Sequence, residues 1–154
     1  MKTLLLLISF AFLVSTSLAQ DTVKVAEQSS AMPDQIQINT AIAKIESGMA
    51  QGKASMFNDV MGSAMIIRIS NMETRNVSAS HACRLLDDYF TGKESISFTF
   101  TSVPKKDLPI NATGKLSYLV NGKRNNMFVL VTLIPKGNRV RIDAIKIGNN
   151  PKMK

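Results

Sequence analysis

Few side chains in this chain can do chemistry, and their spacing narrows the reactions open to it. His81 is the only histidine, which excludes a two-histidine metal site and leaves any serine triad dependent on this one residue. It falls in the first turn of an expected helix, where an imidazole stands in water. Asp87 and Asp88 are adjacent on that helix, and adjacent helical residues diverge, so they cannot face each other as an acid/base pair. Cys83, the only cysteine, reads as a small apolar filler rather than a nucleophile. Asp143 offers more. It falls where the last strand changes phase, and acid/base work by such a carboxylate requires burial to raise its pKa. Arg139 and Arg141 share its strand phase, however, and point to a wet, charge-paired face. The chain has no glycine-rich phosphate loop, nucleophile elbow or cysteine–histidine metal spacing. No metal and no cofactor is implied, and no catalytic site is assigned beyond the candidates Asp143, Tyr118 and Tyr89.

The elements that must position these residues follow from periodicity. Asp34, with Gln37 three residues on, resembles a capping box, and Ile38, Ala41, Ile42, Ile45 and Met49 follow at helical spacing. Gly48 weakens this helix and Gly52 closes it. Lys53 to Val60 reads as a short helix burying Met56, Phe57 and Val60. Met65, Ile67 and Ile69 mark a first strand, and Met72 to Val77 a polar connection. Ser78 or Ser80 caps a third helix that turns Ala82, Leu85, Leu86 and Tyr89 inward and ends at Gly92.

Strands fill the rest. Ile96, Phe98 and Phe100 alternate with polar residues, and Pro104 to Pro109 breaks that strand. Ala112 to Val120 leads into Asn121-Gly122, where both positions accept positive φ, a hairpin signal. Met127 to Ile134 is apolar on both faces. In the last strand Val140 and Ile142 share one phase and Ile145 and Ile147 the other, so a bulge is expected near Asp143-Ala144. Consecutive strands imply an antiparallel sheet with about three N-terminal helices on one face, an α+β fold.

Three stretches carry a family resemblance: Gly52 to Phe57 with Val60, Ser80 to Phe90, and Ile142 to Ile147. They resemble the small exported Bacteroidetes domains of unknown function numbered 4783, within the nuclear transport factor 2-like (cystatin-like) superfamily. The resemblance runs from Ile36 to Ile147. It implies a curved sheet wrapped around the long first helix as a cone with a pocket, and it carries no known reaction. Some relatives of the broader superfamily pair a pocket carboxylate with a tyrosine to shift protons beside a carbonyl, a role that would fall to Asp143 with Tyr118 or Tyr89.

The N-terminus supplies an address. Met1-Lys2-Thr3, an apolar run from Leu4 to Val14 and a Ser17-Leu18-Ala19 cleavage site read as a secretory signal peptide, too short to span a bilayer. The expected organisation is a signal peptide over 1–19, a flexible leader over 20–33, one domain over 34–148 and a tail over 149–154. The mature chain then starts at Gln20 and works in the periplasm or outside the cell. Losing Lys2 leaves 18 basic against 11 acidic residues, a balance of +7 without any block of like charges. That balance reads as solubility, with neither nucleic acid as a partner nor a transmembrane segment.

The reading is an exported non-catalytic binding or assembly domain, its partner an unknown small ligand or envelope component. The alternatives are a small-molecule isomerase or hydrolase using Asp143 and a tyrosine, and an envelope protein binding anionic glycan or lipid through Arg139 and Arg141. A homodimer through the sheet is also expected. Helices cover one face only, and Phe128, Leu130 and Ile134 oppose Met127, Val129, Val131 and Leu133 on one strand. A two-fold partner would bury whichever set turns away from the helices.

Overall fold

The computed structural model describes residues 34–104 and 107–149. The expected signal peptide, the leader and the tail from residue 150 lie outside the described residues. Helix α1 spans Gln35–Gln51, and the Asp34 carboxylate caps it by accepting the Ile36 N–H at 3.2 Å. Gln37 does not complete a capping box; its Oε1 is buried without a hydrogen-bond partner among the described residues. Gly52, at φ 64°, closes the helix and returns its N–H to the carbonyls of Gly48 and Met49. Ile38, Ala41, Ile45 and Met49 form the buried stripe.

A 3-10 helix follows over Ala54–Val60 and buries Ala54 and Phe57. Met56 was expected inward but is 39% exposed. Three residues per turn put positions 54, 57 and 60 on one side and leave 56 outside. Helix α2, Ala79–Phe90, takes its cap from Ser78, whose Oγ accepts the His81 N–H at 3.4 Å. It buries Ala82, Leu86 and Phe90.

Six strands form one curved, open sheet: β1 (Met61–Ile69), β2 (Met72–Val77), β3 (Glu94–Ser102), β4 (Ile110–Val120), β5 (Lys123–Lys136) and β6 (Arg139–Gly148). Their order is β2-β1-β6-β5-β4-β3. The helices pack on the face carrying Leu116, Val131 and Ile145, α1 against β3 and β6 and α2 against β1. The fold is α+β, as the pattern implied, with two departures. The stretch expected as a polar connection is strand β2, antiparallel to β1. The sheet is also not wholly antiparallel, because β1 runs parallel to β6.

The phase change in β6 is a bulge. Thr132 pairs with Ala144 while Leu133 pairs with Ile142, so Asp143 is the extra residue. The inserted residue lets Ile142, Ile145 and Ile147 all reach the core, each 0% exposed. Across the other edge of β6 the register with β1 also shifts, between Met61 and Ile66. There a side chain on Gly62 would stand 2.6 Å from the Ile142 carbonyl oxygen, so the two backbones meet only because that position is glycine.

Candidate functional site

The last turn of α2 and the inner face of β4 bring Tyr89 and Tyr118 together. Their hydroxyls lie 3.3 Å apart, and their rings meet edge to face with centroids 6.2 Å apart. Lys93, just beyond the helix, donates to the Tyr89 carbonyl, an interaction suited to a helix C-terminus. This places its ammonium 4.0 Å from the centre of the Tyr89 ring and 5.2 Å from that of Tyr118. Burial, reinforced by the hydrogen bond with Tyr118, pushes the Tyr89 phenol far above its usual range. Burial also draws the Lys93 ammonium below the usual lysine value. Sequence reasoning had missed Lys93; its place four residues after Tyr89 was the available signal. Beside this cluster lies an open hollow of about 490 Å³, lined by Lys93, Tyr118, Val120, Asn121, Lys123 and Asn125.

Asp143 is not part of that cluster. It stands at the bulge opposite Thr132 and Leu133, whereas Tyr118 is in register with Asn125, seven residues along β5 from Thr132. At ~3.3 Å per residue this is about 23 Å of strand. The structure pairs the two tyrosines with each other and with Lys93, and it does not bring Asp143 to either. Nor does Asp143 form the expected charge pair with Arg139 or Arg141. The Arg141 guanidinium donates instead to the Asp59 carbonyl. The ion pairs among the described residues are Lys44 with Asp59, and Glu73 with Arg68 and Arg75.

The remaining candidates have local roles. His81 is exposed. Asp88 is exposed, while Asp87 Oδ1 accepts the Ala54 N–H at 3.0 Å and so ties α2 to the 3-10 helix. Cys83 is partly buried, its Sγ 3.6 Å from Asn58 Oδ1 and 3.8 Å from Met61 Sδ. Burial, then the Asp87 charge, raises its thiol pKa. A second groove, of about 410 Å³, lies between α1 and the start of β6, where Gln37, Lys44, Asp59, Arg139 and Arg141 meet. No cluster of three or more His, Cys, Asp or Glu side chains is placed to hold a metal among the described residues. No helix among them is long and apolar enough to cross a membrane.

The outer sheet face carries the other half of β5. Phe128, Leu130 and Ile134 are half-buried there, while Val129, Val131 and Leu133 are buried on the helix side. Lys115, Lys146 and Arg141 stand in register beside Phe128, Leu130 and Ile134 respectively.

Solved structures share this architecture. A DUF4783 family protein from Bacteroides ovatus ATCC 8483 is 22% identical with a TM-score of 0.61, over 71% of this chain and 96% of that one. A domain of unknown function with a cystatin-like fold from Nostoc punctiforme PCC 73102 is 8% identical with a TM-score of 0.60, over 77% and 80%. The protein designated Rd1NTF2_04 with long sheet is 11% identical with a TM-score of 0.61, over 71% and 98%. At such identities the likeness speaks for the fold alone. No curated protein shows significant similarity to the chain. The family model of the domain of unknown function DUF4783 matches residues 42–148, most of the described fold, and the chain therefore belongs to that family.

Proposed function

We propose that the chain is an exported, non-catalytic binding or assembly domain. The observation that carries this reading is the outer sheet face, where Phe128, Leu130 and Ile134 line up on the side away from the helices. The side beneath the helices is filled by apolar residues, so a second copy can meet the sheet only on its outer face. The aliphatic stems of Lys115 and Lys146, in register with Phe128 and Leu130, can flank the apolar row while their charges reach water, whereas the Arg141 guanidinium turns to the Asp59 carbonyl. A second copy related by a two-fold axis covers the row with a self-complementary contact. Because such a contact gathers like charges, the dimer tightens as salt rises.

Sedimentation of the chain starting at Gln20, at micromolar concentration in low and high salt, tests the assembly. A dimer favoured by salt and broken by Phe128→Glu or Leu130→Glu is expected. A clean monomer in both conditions removes the homodimer. Export is checked by the intact mass of secreted material, which should correspond to a Gln20 start; cytoplasmic material retaining Met1 would reject it.

The groove joining Lys44, Arg139 and Arg141 favours a second reading, an envelope protein that binds anionic glycan or lipid. Salt-sensitive retention on an anionic matrix, lost when both arginines are neutralised, would support it. The isomerase or hydrolase reading required Asp143 beside a tyrosine, and their separation along the sheet removes its geometric basis.

A further inference from the structure

We propose that the hollow beside Tyr89, Tyr118 and Lys93 binds a carboxylate-bearing saccharide. Two hydroxyls joined by one hydrogen bond keep one O–H hydrogen unspent, whichever of them donates. Neither phenol has another side-chain hydrogen bond among the described residues, and Tyr118 is only 6% exposed. A donor so buried calls for an acceptor. The Lys93 ammonium spends one of its three hydrogens on the Tyr89 carbonyl. Asn125 spends one amide hydrogen on the Lys123 carbonyl, at 3.0 Å, and keeps its other donor and its oxygen.

The charges agree with this count. Lys93 and Lys123 line the hollow and no carboxylate does. Glu94, next to Lys93 in the chain, pairs in register with Leu119, which points to the sheet face opposite Tyr118. The hollow therefore joins two cations and spare donors, a surface made for anionic oxygen. It is open rather than enclosed. The two asparagines suit hydroxyl groups, and Val120 offers apolar surface for the C–H face of a sugar ring.

The assignment rests on the binding-domain reading but uses none of the outer-face residues, so the two can fail separately. Calorimetric titration of the chain starting at Gln20 with tetragalacturonate, a heparin-derived tetrasaccharide and neutral cellotetraose tests it. Tetragalacturonate is expected to bind at least about tenfold more tightly than cellotetraose, a difference that one charge-assisted contact can supply. Lys93→Gln combined with Lys123→Gln should cost about tenfold or more. Tyr118→Phe, which removes the hydroxyl and with it the hydrogen bond to Tyr89, should weaken binding about fivefold while the chain still melts cooperatively. Arg139→Ala, in the other groove, should leave binding as it was. Absence of tetragalacturonate binding at millimolar concentration overturns the assignment, as does binding indifferent to Lys93 and Lys123. Preference for the sulfated tetrasaccharide, or loss of binding in Arg139→Ala, overturns this site and ligand while leaving a binding domain in place.

Discussion

At Gly48 two residue-level effects oppose each other, and their magnitudes decide the outcome. In a helix interior, alanine is favoured over glycine by about 1 kcal/mol, so propensity alone recommends Gly48→Ala. A Cβ at that position, however, would overlap the Phe57 ring and approach the Lys53 carbonyl oxygen to 2.9 Å. Phe57 is wholly buried, with little room to yield. Overpacking of this kind costs about 1–3 kcal/mol. Gly48→Ala should therefore destabilise by about 1 kcal/mol, read from the denaturation midpoint; a stabilised variant would show that Phe57 moves aside freely. The sequence alone showed only a weak point in a helix, because the partner arrives from the next element. The tyrosines have the same history. Their chemical interest was legible, but their partner depended on sheet register, which puts Asp143 out of reach and leaves Lys93 at hand.

Among elements, those defined by local chemistry were the readable ones. Asn121 and Gly122 take φ of 50° and 72° at the tip of the β4–β5 hairpin, as their residue types required. Gly122→Val should destabilise by about 1 kcal/mol or more, since a β-branched residue resists that conformation. A variant melting like the parent would contradict this. Strand β2 escaped notice because it is an edge, paired on one side only, with Glu73 and Arg75 in place of an apolar alternation. At the opposite edge, Glu46 Oε1 of α1 accepts the Phe100 N–H at 3.2 Å, a contact no pattern announces. Desolvation would raise the Glu73 pKa, but the Arg68 hydrogen bond and the charges of Arg68, Arg75 and Lys146 outweigh it, and the net shift is downward from 4.5. A carboxylate lowered in the folded state contributes stability that is present above its unfolded value and lost as pH falls through the folded one. Acid should therefore loosen β2 before the centre of the sheet. Amide protection in β2 should fall below pH 4.5 relative to β5, and Glu73→Gln should remove that dependence. Equal loss of protection in both strands would reject it.

For the molecule as a whole, the decisive join is the one farthest from local sequence. Placing consecutive strands side by side holds for β1–β2 and for β3 through β6. It says nothing of the parallel pairing between β1 and β6, the first strand and the last. No hydrophobic period marks that contact, because it is set by which surfaces remain uncovered after the hairpins form. Its consequence is that β6 joins the β1–β2 hairpin to the β3–β5 meander. It also supplies Val140, Ile142, Ile145 and Ile147 to the common core. A chain ended at Lys136 would hold a two-stranded and a three-stranded piece with no sheet contact between them, and a two-stranded piece is marginal on its own. It should show neither a cooperative thermal transition nor dispersed amide resonances, while the chain with β6 melts in a single step. The alternative is that α1 and α2 organise both pieces without β6. A cooperative melt in the shortened chain would establish that, and would make β6 an addition to a fold already formed rather than the strand that completes it.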